Sequence, residues 1–234
     1  MSRPEESPVE TTRRAVFEEQ VAGMFILSPN EEESEYMDFL SEAGIPFVLV
    51  NRLPEDKNVS CVTIDNADIA FQAIDYLCRK GHRRIGFING PADRPSSRAR
   101  LRGVRMALLE RNLPEEPHLI VSGNFQTNGG YLGMKEILKG ERPTAVFAGN
   151  DYQAFGAIQA LGEYGLTVPT DVAIVGCDDL AMSSWIRPPL TTIRVPFYEM
   201  GSVAANLLCR LAKGETPPGK QIILPSHLIE RQSV

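Results

Sequence analysis

Short apolar runs alternate along this sequence with stretches that carry helical patterning, and that alternation constrains the fold more than any other feature. Residues 21–27, 46–50, 84–88, 118–121, 144–148 and 171–175 are too short for ordinary helices. The run 46–50 is too continuously apolar for a sheet wet on one face. Between the runs, residues 11–20, 97–112, 128–139 and 152–164 are rich in helix formers. Ser28, Pro29 and Asn30 ahead of Glu31–Glu33 read as a helix start, where acidic side chains suit the exposed amides. Phe39, Leu40 and Ala43 give that helix an inward face and Gly44 ends it. Strands and helices in this order predict an α/β fold, with parallel sheets flanked by helices on both faces.

Composition narrows the function. The 234 residues are 43% hydrophobic and 23% charged, enough apolar material for a sizeable core. Lys and Arg number 24 against 30 Asp and Glu, a net charge of -6 with no basic run. Phosphate neutralisation drives nucleic-acid affinity, so direct DNA contact by this chain is disfavoured. Cys61, Cys78, Cys177 and Cys209 are scattered without a Cys-x-x-Cys pair, so neither a zinc site nor a disulfide framework is expected. No apolar run approaches the ~18 residues of a membrane span. Residues 1–14 are polar and lack the core of an export signal, so a cytoplasmic protein without metal or cofactor is expected.

In open parallel sheets, ligands lie beyond the carboxyl ends of the strands. Here those positions are unusually polar: Asn51 and Arg52; Asp65; Asn89, Gly90, Arg94, Ser96, Arg98 and Arg100; Asn124 and Phe125; Asn150 and Asp151; Asp178 and Asp179. Arg, Asn and Asp with one aromatic form a hydrogen-bonding box with a stacking face, suited to a small polar ligand rich in hydroxyls. Singly, Asn150 and Asp178 serve equally well as a helix cap and a turn former. The conjunction across several strand ends favours the binding reading.

Several of these stretches match a known family in order. They are residues 43–52 (AGIPFVLVNR), 62–66 (VTIDN), 81–88 (GHRRIGFI), 98–103 (RARLRG), 143–151 (PTAVFAGND), 168–179 (VPTDVAIVGCDD) and 188–193 (PPLTTI). The chain thereby resembles the effector-binding part of LacI/GalR-family transcription regulators, which share the periplasmic sugar-binding-protein fold. The resemblance implies two α/β lobes joined by three crossings near Asp65, Arg194 and Leu224. One lobe would hold residues 1–65 and 194–224, the other residues 66–193 and 225–234. The ligand would lie between them, and the molecule would be a homodimer. Motif by motif, it implies Arg100, three residues before Gly103, as the main ligand anchor, with Arg94 and Ser96 nearby. Phe125 would stack on the ligand, Asn150 and Asp178 would hydrogen-bond it, and Phe197 would be an apolar contact from the other lobe.

The departures matter too. Family members begin with a helix-turn-helix headpiece and a hinge helix, and residues 1–14 match neither. The first strand, first helix and second strand of the N-terminal lobe are also unmatched, so that lobe is expected to be truncated, with an uncovered edge. DNA is then expected only through a headpiece this chain does not carry.

The alternatives are a stand-alone sugar- or nucleoside-binding protein of the same fold and an enzyme on the same scaffold. Against catalysis, His82, His118 and His227 are far apart, no serine sits in a G-x-S-x-G elbow, and Gly123, Gly129 and Gly130 make no G-x-G-x-x-G fingerprint. His82, Arg83 and Arg84 read as a helix C-terminal cap. The helix carrying Val203, Leu207, Leu208 and Leu211 reads as core. The effector expected is a sugar or nucleoside-like molecule, since hydroxyls of a pentose, a hexose or a ribose suit Arg, Asp and Asn equally.

Overall fold

The computed structural model describes residues 8–17, 21–27 and 34–234, and the expected helix start at residues 28–33 lies outside them. The chain forms two compact units, one from Met1–Ile64 and Pro196–Leu224, the other from Asp65–Val195 and Pro225–Val234. In the first unit it runs through α1 (Pro8–Phe17), β1 (Met24–Leu27), α2 (Ser34–Glu42), β2 (Phe47–Val50) and β3 (Cys61–Ile64). The second unit continues with α3 (Asn66–Arg79), β4 (Ile85–Asn89), α4 (Pro95–Glu110), β5 (Ile120–Ser122), α5 (Thr127–Ile137), β6 (Ala145–Ala148), α6 (Asp151–Glu163), β7 (Ala173–Asp178) and β8 (Thr191–Arg194). The chain returns to the first unit for α7 (Phe197–Ala212) and β9 (Gln221–Leu224), then ends in the second with β10 (His227–Ile229). Asp65 and Arg194 both fall in the second unit. Asp65 caps α3, accepting from Ala67 N and Asp68 N, and Arg194 is in register with Asp178 and His227.

The second unit holds a six-stranded sheet of order β10-β8-β7-β6-β4-β5, parallel except for β10. Its central strands are buried along their whole length, which is why they read as unbroken apolar runs. Phe87 and Phe147, in register on β4 and β6, stack with ring centroids 5.2 Å apart. Met134, Ile137, Ala157, Leu161 and Val172 close a core against Ile88 and Val146. Helices α3 and α4 meet at Gly103, where an added Cβ would lie 1.9 Å from Ala67 O, so only glycine lets the two backbones approach so closely.

The first unit holds a four-stranded parallel sheet of order β1-β2-β3-β9. Val16, Ile26, Leu40, Leu49 and Cys61 form its buried cluster. Strand β1 lies at an edge with no further strand beside it among the described residues. Ile26 turns into the core while Phe25 and Leu27 are 43% and 74% exposed, the alternation of a strand covered on one face.

Two smaller expectations gain detail. His82 caps the helix before it through its backbone, the N–H donating to Leu77 O at 3.1 Å, while its ring Nδ1 lies 3.0 Å from Thr144 Oγ1 and Arg84 pairs with Glu116 and Glu141. On α7 the fully buried side chains are Met200, Ala204 and Leu207, and Val203, Leu208 and Leu211 are only half-buried.

Candidate functional site

Because β4, β6, β7 and β8 run parallel, their carboxyl ends reach one edge of the second unit's sheet. The strand-end residues bond to one another rather than fraying into loops. Asn89 ends β4, donates from Nδ2 to Ser97 O at 3.0 Å and accepts from Gly90 N at 2.8 Å. Gly90 is the floor of the site: a Cβ there would lie 2.0 Å from the ring of Phe125, so the ring rests directly on backbone. Pro95 opens α4, and one and a half turns on the helix delivers Arg100 inward, only 5% exposed. Its Nε donates to Asn66 Oδ1 at 3.0 Å, its Nη1 donates to Gly149 O, and its Cζ sits 5.5 Å from the centroid of Phe125. A buried guanidinium over an aromatic face is thus held in one orientation.

Asn150 follows β6 and does two jobs. Its Oδ1 caps α6 by accepting from Gln153 N, and its Nδ2 donates to Phe125 O, each at 3.0 Å. The cap reading is therefore correct, and the same side chain also fixes Phe125, whose φ of +61° an aromatic residue rarely adopts.

Asp178 ends β7 with φ +118°, a region costing a non-glycine residue of order 1–3 kcal/mol. The one side-chain hydrogen bond to its carboxyl among the described residues comes from Cys177 Sγ at 3.7 Å. Burial pushes its carboxyl up to about 7, while the Arg100 charge pulls it back down. Asp179, also left-handed at φ +57°, behaves differently. Burial pushes its carboxyl up, but Arg231 at 2.6 Å and Arg194 at 2.7 Å outweigh that and hold it below the usual value. The turn is secured from beneath by Asp151, wholly buried, which accepts from Ser183 Oγ and Thr192 Oγ1 at 2.6 Å and from Leu180 N at 2.8 Å. Desolvation raises the Asp151 carboxyl, and those three donors oppose the rise.

Of the predicted residues, Arg100, Phe125, Asn150 and Asp178 converge here. Arg94 and Ser96 are half-buried at the N-cap and in the first turn of α4, rather than on a free loop, and Ser96 shares a helix face with Arg100. Phe197 belongs to the first unit, at the start of α7, 49% exposed. Arg98 donates to Asp93 O, and Asn124 Oδ1 accepts from Gln126 N as a local turn. Sequence reasoning missed Asn66, Ser97, Gln153, Thr192 and Arg231. Ser97 Oγ and Gln153 Oε1 are buried there without a hydrogen-bond partner among the described residues.

A cavity of about 540 Å3 occurs in the first unit, with Leu40, Ile45, Phe47, Val59 and Leu211 in its walls. Its polar lining is Ser41, Asp56, Asn58, Ser60 and Thr216, with no basic side chain among them.

Residues 74–234 match the periplasmic binding protein-like domain, well over half of the chain. The chain belongs to that family. Within it, the domain is 34% identical to catabolite control protein A of Priestia megaterium over 92% of this chain and 65% of that protein. It is 36% identical to the HTH-type transcriptional regulator CelR of Thermobifida fusca over 92% of this chain and 64% of the relative. The chain thus spans just under two-thirds of the length of these relatives. It superposes on the structure of a transcriptional regulator CelR–cellobiose complex with a TM-score of 0.90 and 35% identity, covering 97% of this chain and 71% of that one. Its relatives are LacI-family transcription regulators, as expected from the sequence.

Proposed function

We propose that this chain is the effector-sensing domain of a LacI-type transcription regulator, and that its ligand is a small polyol, a sugar in the first instance. The observation that carries this reading is Arg100, buried over the face of Phe125, with its charge acting on the carboxyl of Asp178. Arg100 is buried and oriented, and Asp178 is a partly buried carboxyl with no N–H or O–H donor of its own among the described residues. Vicinal hydroxyls donate to such a carboxylate and accept from such a guanidinium, and the ring covers a sugar's apolar face. The relative crystallised with cellobiose supports a sugar over other polyols. Asn150, Arg94 and Ser96 are proposed as flanking polar contacts, and Phe197 as an apolar one.

Binding without turnover fits the carboxylates. Asp179 is committed to two arginines and Asp151 to three donors, which leaves Asp178 without a partner acid or base. As in any effector domain, the ligand acts by favouring one conformation over another. We propose a cytoplasmic homodimer that reaches DNA only through a headpiece outside this chain. No described helix is long and apolar enough to cross a membrane.

The test is thermal melting against D-ribose, D-glucose, cellobiose and adenosine. At least one raises the melting temperature of the wild type, and Arg100→Ala and Asp178→Ala each abolish the rise. A rise kept by both variants contradicts the assignment, and hydrolysis of any of the four contradicts the binding-only reading.

A further inference from the structure

Each of the three segments by which the chain enters or leaves the second unit carries a polar side chain bonded into the strand-end cluster. Asn66, two residues past the crossing at Ile64, is buried and accepts from Arg100 Nε at 3.0 Å. Arg194 precedes Val195, the last residue before the second crossing, and donates from Nε to Asp179 Oδ2 at 2.7 Å. Arg231 lies on the segment that returns at Pro225, and donates from Nη2 to Asp179 Oδ1 at 2.6 Å and from Nη1 to Leu190 O at 2.7 Å. Both oxygens of Asp179 are therefore taken by arginines from two different crossings, and its side chain is only 8% exposed.

We propose that Asn66 and Asp179 are positioning residues, a three-point tether that fixes the Arg100–Asp178 pair relative to the three chain crossings. The inference rests on Arg100 and Asp178 as effector contacts and deepens that reading. Two consecutive non-glycine residues with positive φ persist only where their surroundings over-determine them. On one side the Asp178–Asp179 turn is pinned by the β7–β8 register, which sets Cys177 against Ile193 and Asp178 against Arg194. On the other it is pinned by the two arginine bonds to Asp179 and by Leu180 N on Asp151. Arg100 is pinned by Asn66, beside Asp65, whose carboxylate caps the same helix end. A shift of the effector pair must then move the crossing segments, and the reverse holds equally.

The side chain of Arg194 is 56% exposed, so its ion pair adds little to stability and its positioning effect is separable from folding. The experiment measures amide hydrogen exchange by mass spectrometry on the whole chain, with wild type, Asp179→Asn and Arg194→Gln. Asp179→Asn is expected to speed exchange across residues 178–183 about tenfold. Arg194→Gln is expected to speed it about threefold, at an unchanged melting temperature. Unchanged exchange across 178–183 in both variants overturns the tether.

The second arm uses whichever of cellobiose, D-ribose and D-glucose binds the wild type. Arg194→Gln weakens binding about threefold and adds nothing to the loss in Asp178→Asn, because it acts through that residue. A fully additive loss overturns the proposal, since a residue that merely stabilises the fold gives that result. If none of cellobiose, D-ribose and D-glucose binds the wild type, the sugar reading fails and the exchange arm still decides the tether.

Discussion

The two units share one construction, parallel strands alternating with helices, and differ in the residues at the carboxyl ends of their strands. In the second unit, Asn89, Gly149, Asn150 and Asp179 lock into α4, α6 and β8 through side-chain bonds, and the Arg100 charge acts on the carboxyl of Asp178. In the first unit, β2 leads into Asn51, left-handed at φ +63°, whose Oδ1 is buried without a hydrogen-bond partner among the described residues. Its cavity is walled mainly by apolar side chains, and β1 has no further strand beside it among the described residues. The same architecture can thus hold a preorganised polar site or a plain packed layer. The sheet supplies the place, and side chains recruited from distant segments supply the chemistry.

The contrast should show first in packing. Gly103→Ala drives a methyl to 1.9 Å from Ala67 O, and the second unit should lose about 3 kcal/mol in urea denaturation. A neutral result would mean that α3 and α4 are not locked together. Next comes strain. Asp178→Gly relieves a backbone cost of order 1–3 kcal/mol and should raise the melting temperature while abolishing any sugar-dependent shift, a gain in stability at the expense of function.

That gain should depend on pH. The Asp178 carboxyl is raised from 3.8 to about 7 in the folded state, which therefore binds the proton more tightly than the unfolded chain does. The associated stability is fully present below about pH 4 and is lost as pH rises through about 7. The advantage of Asp178→Gly should be largest at pH 8 and shrink toward pH 4, leaving the strain component. Sugar affinity should change the opposite way. Hydroxyls donating to an ionised Asp178 lower its pKa, so binding near pH 7 should release a proton and weaken below it, as calorimetry in two buffers can measure. A pH-independent affinity would remove Asp178 from the site.

Much of this was legible in the sequence, and the residues that escaped share one property. The central strands were readable because burial on both faces leaves no polar residue to blur them, as in Ala145–Ala148. Arg100 was named through the resemblance to the LacI/GalR family, by its place three residues before Gly103, the glycine that lets α4 lie on α3. Asn66, Gln153 and Arg231 were not, because their partners lie 34, 64 and 52 residues away and no local pattern encodes such pairs. Asn124 misled for the converse reason: it stands just past a strand end yet bonds to its own loop.

Smaller effects test the first unit. Leu27→Lys on strand β1 should reduce self-association of this chain in sedimentation experiments, with stability changed by no more than about 0.5 kcal/mol. Unchanged association would mean the edge is not a contact. Gly201→Ala on α7, where an added Cβ meets nothing within 4 Å, should stabilise by about 0.5–1 kcal/mol. A loss there as large as that of Gly103→Ala would erase the difference between the units.

The most direct test of the central claim is a heteronuclear NMR titration of the chain with a sugar that raises its melting temperature. The largest shifts should fall on the Arg100 Nε–H, the Asn150 side-chain amide and the backbone amides of Gly90, Gly149 and Asp178. Shifts confined to Gly44, Ser60 and Gly214, around the cavity of the first unit, would contradict that claim and move the effector site there.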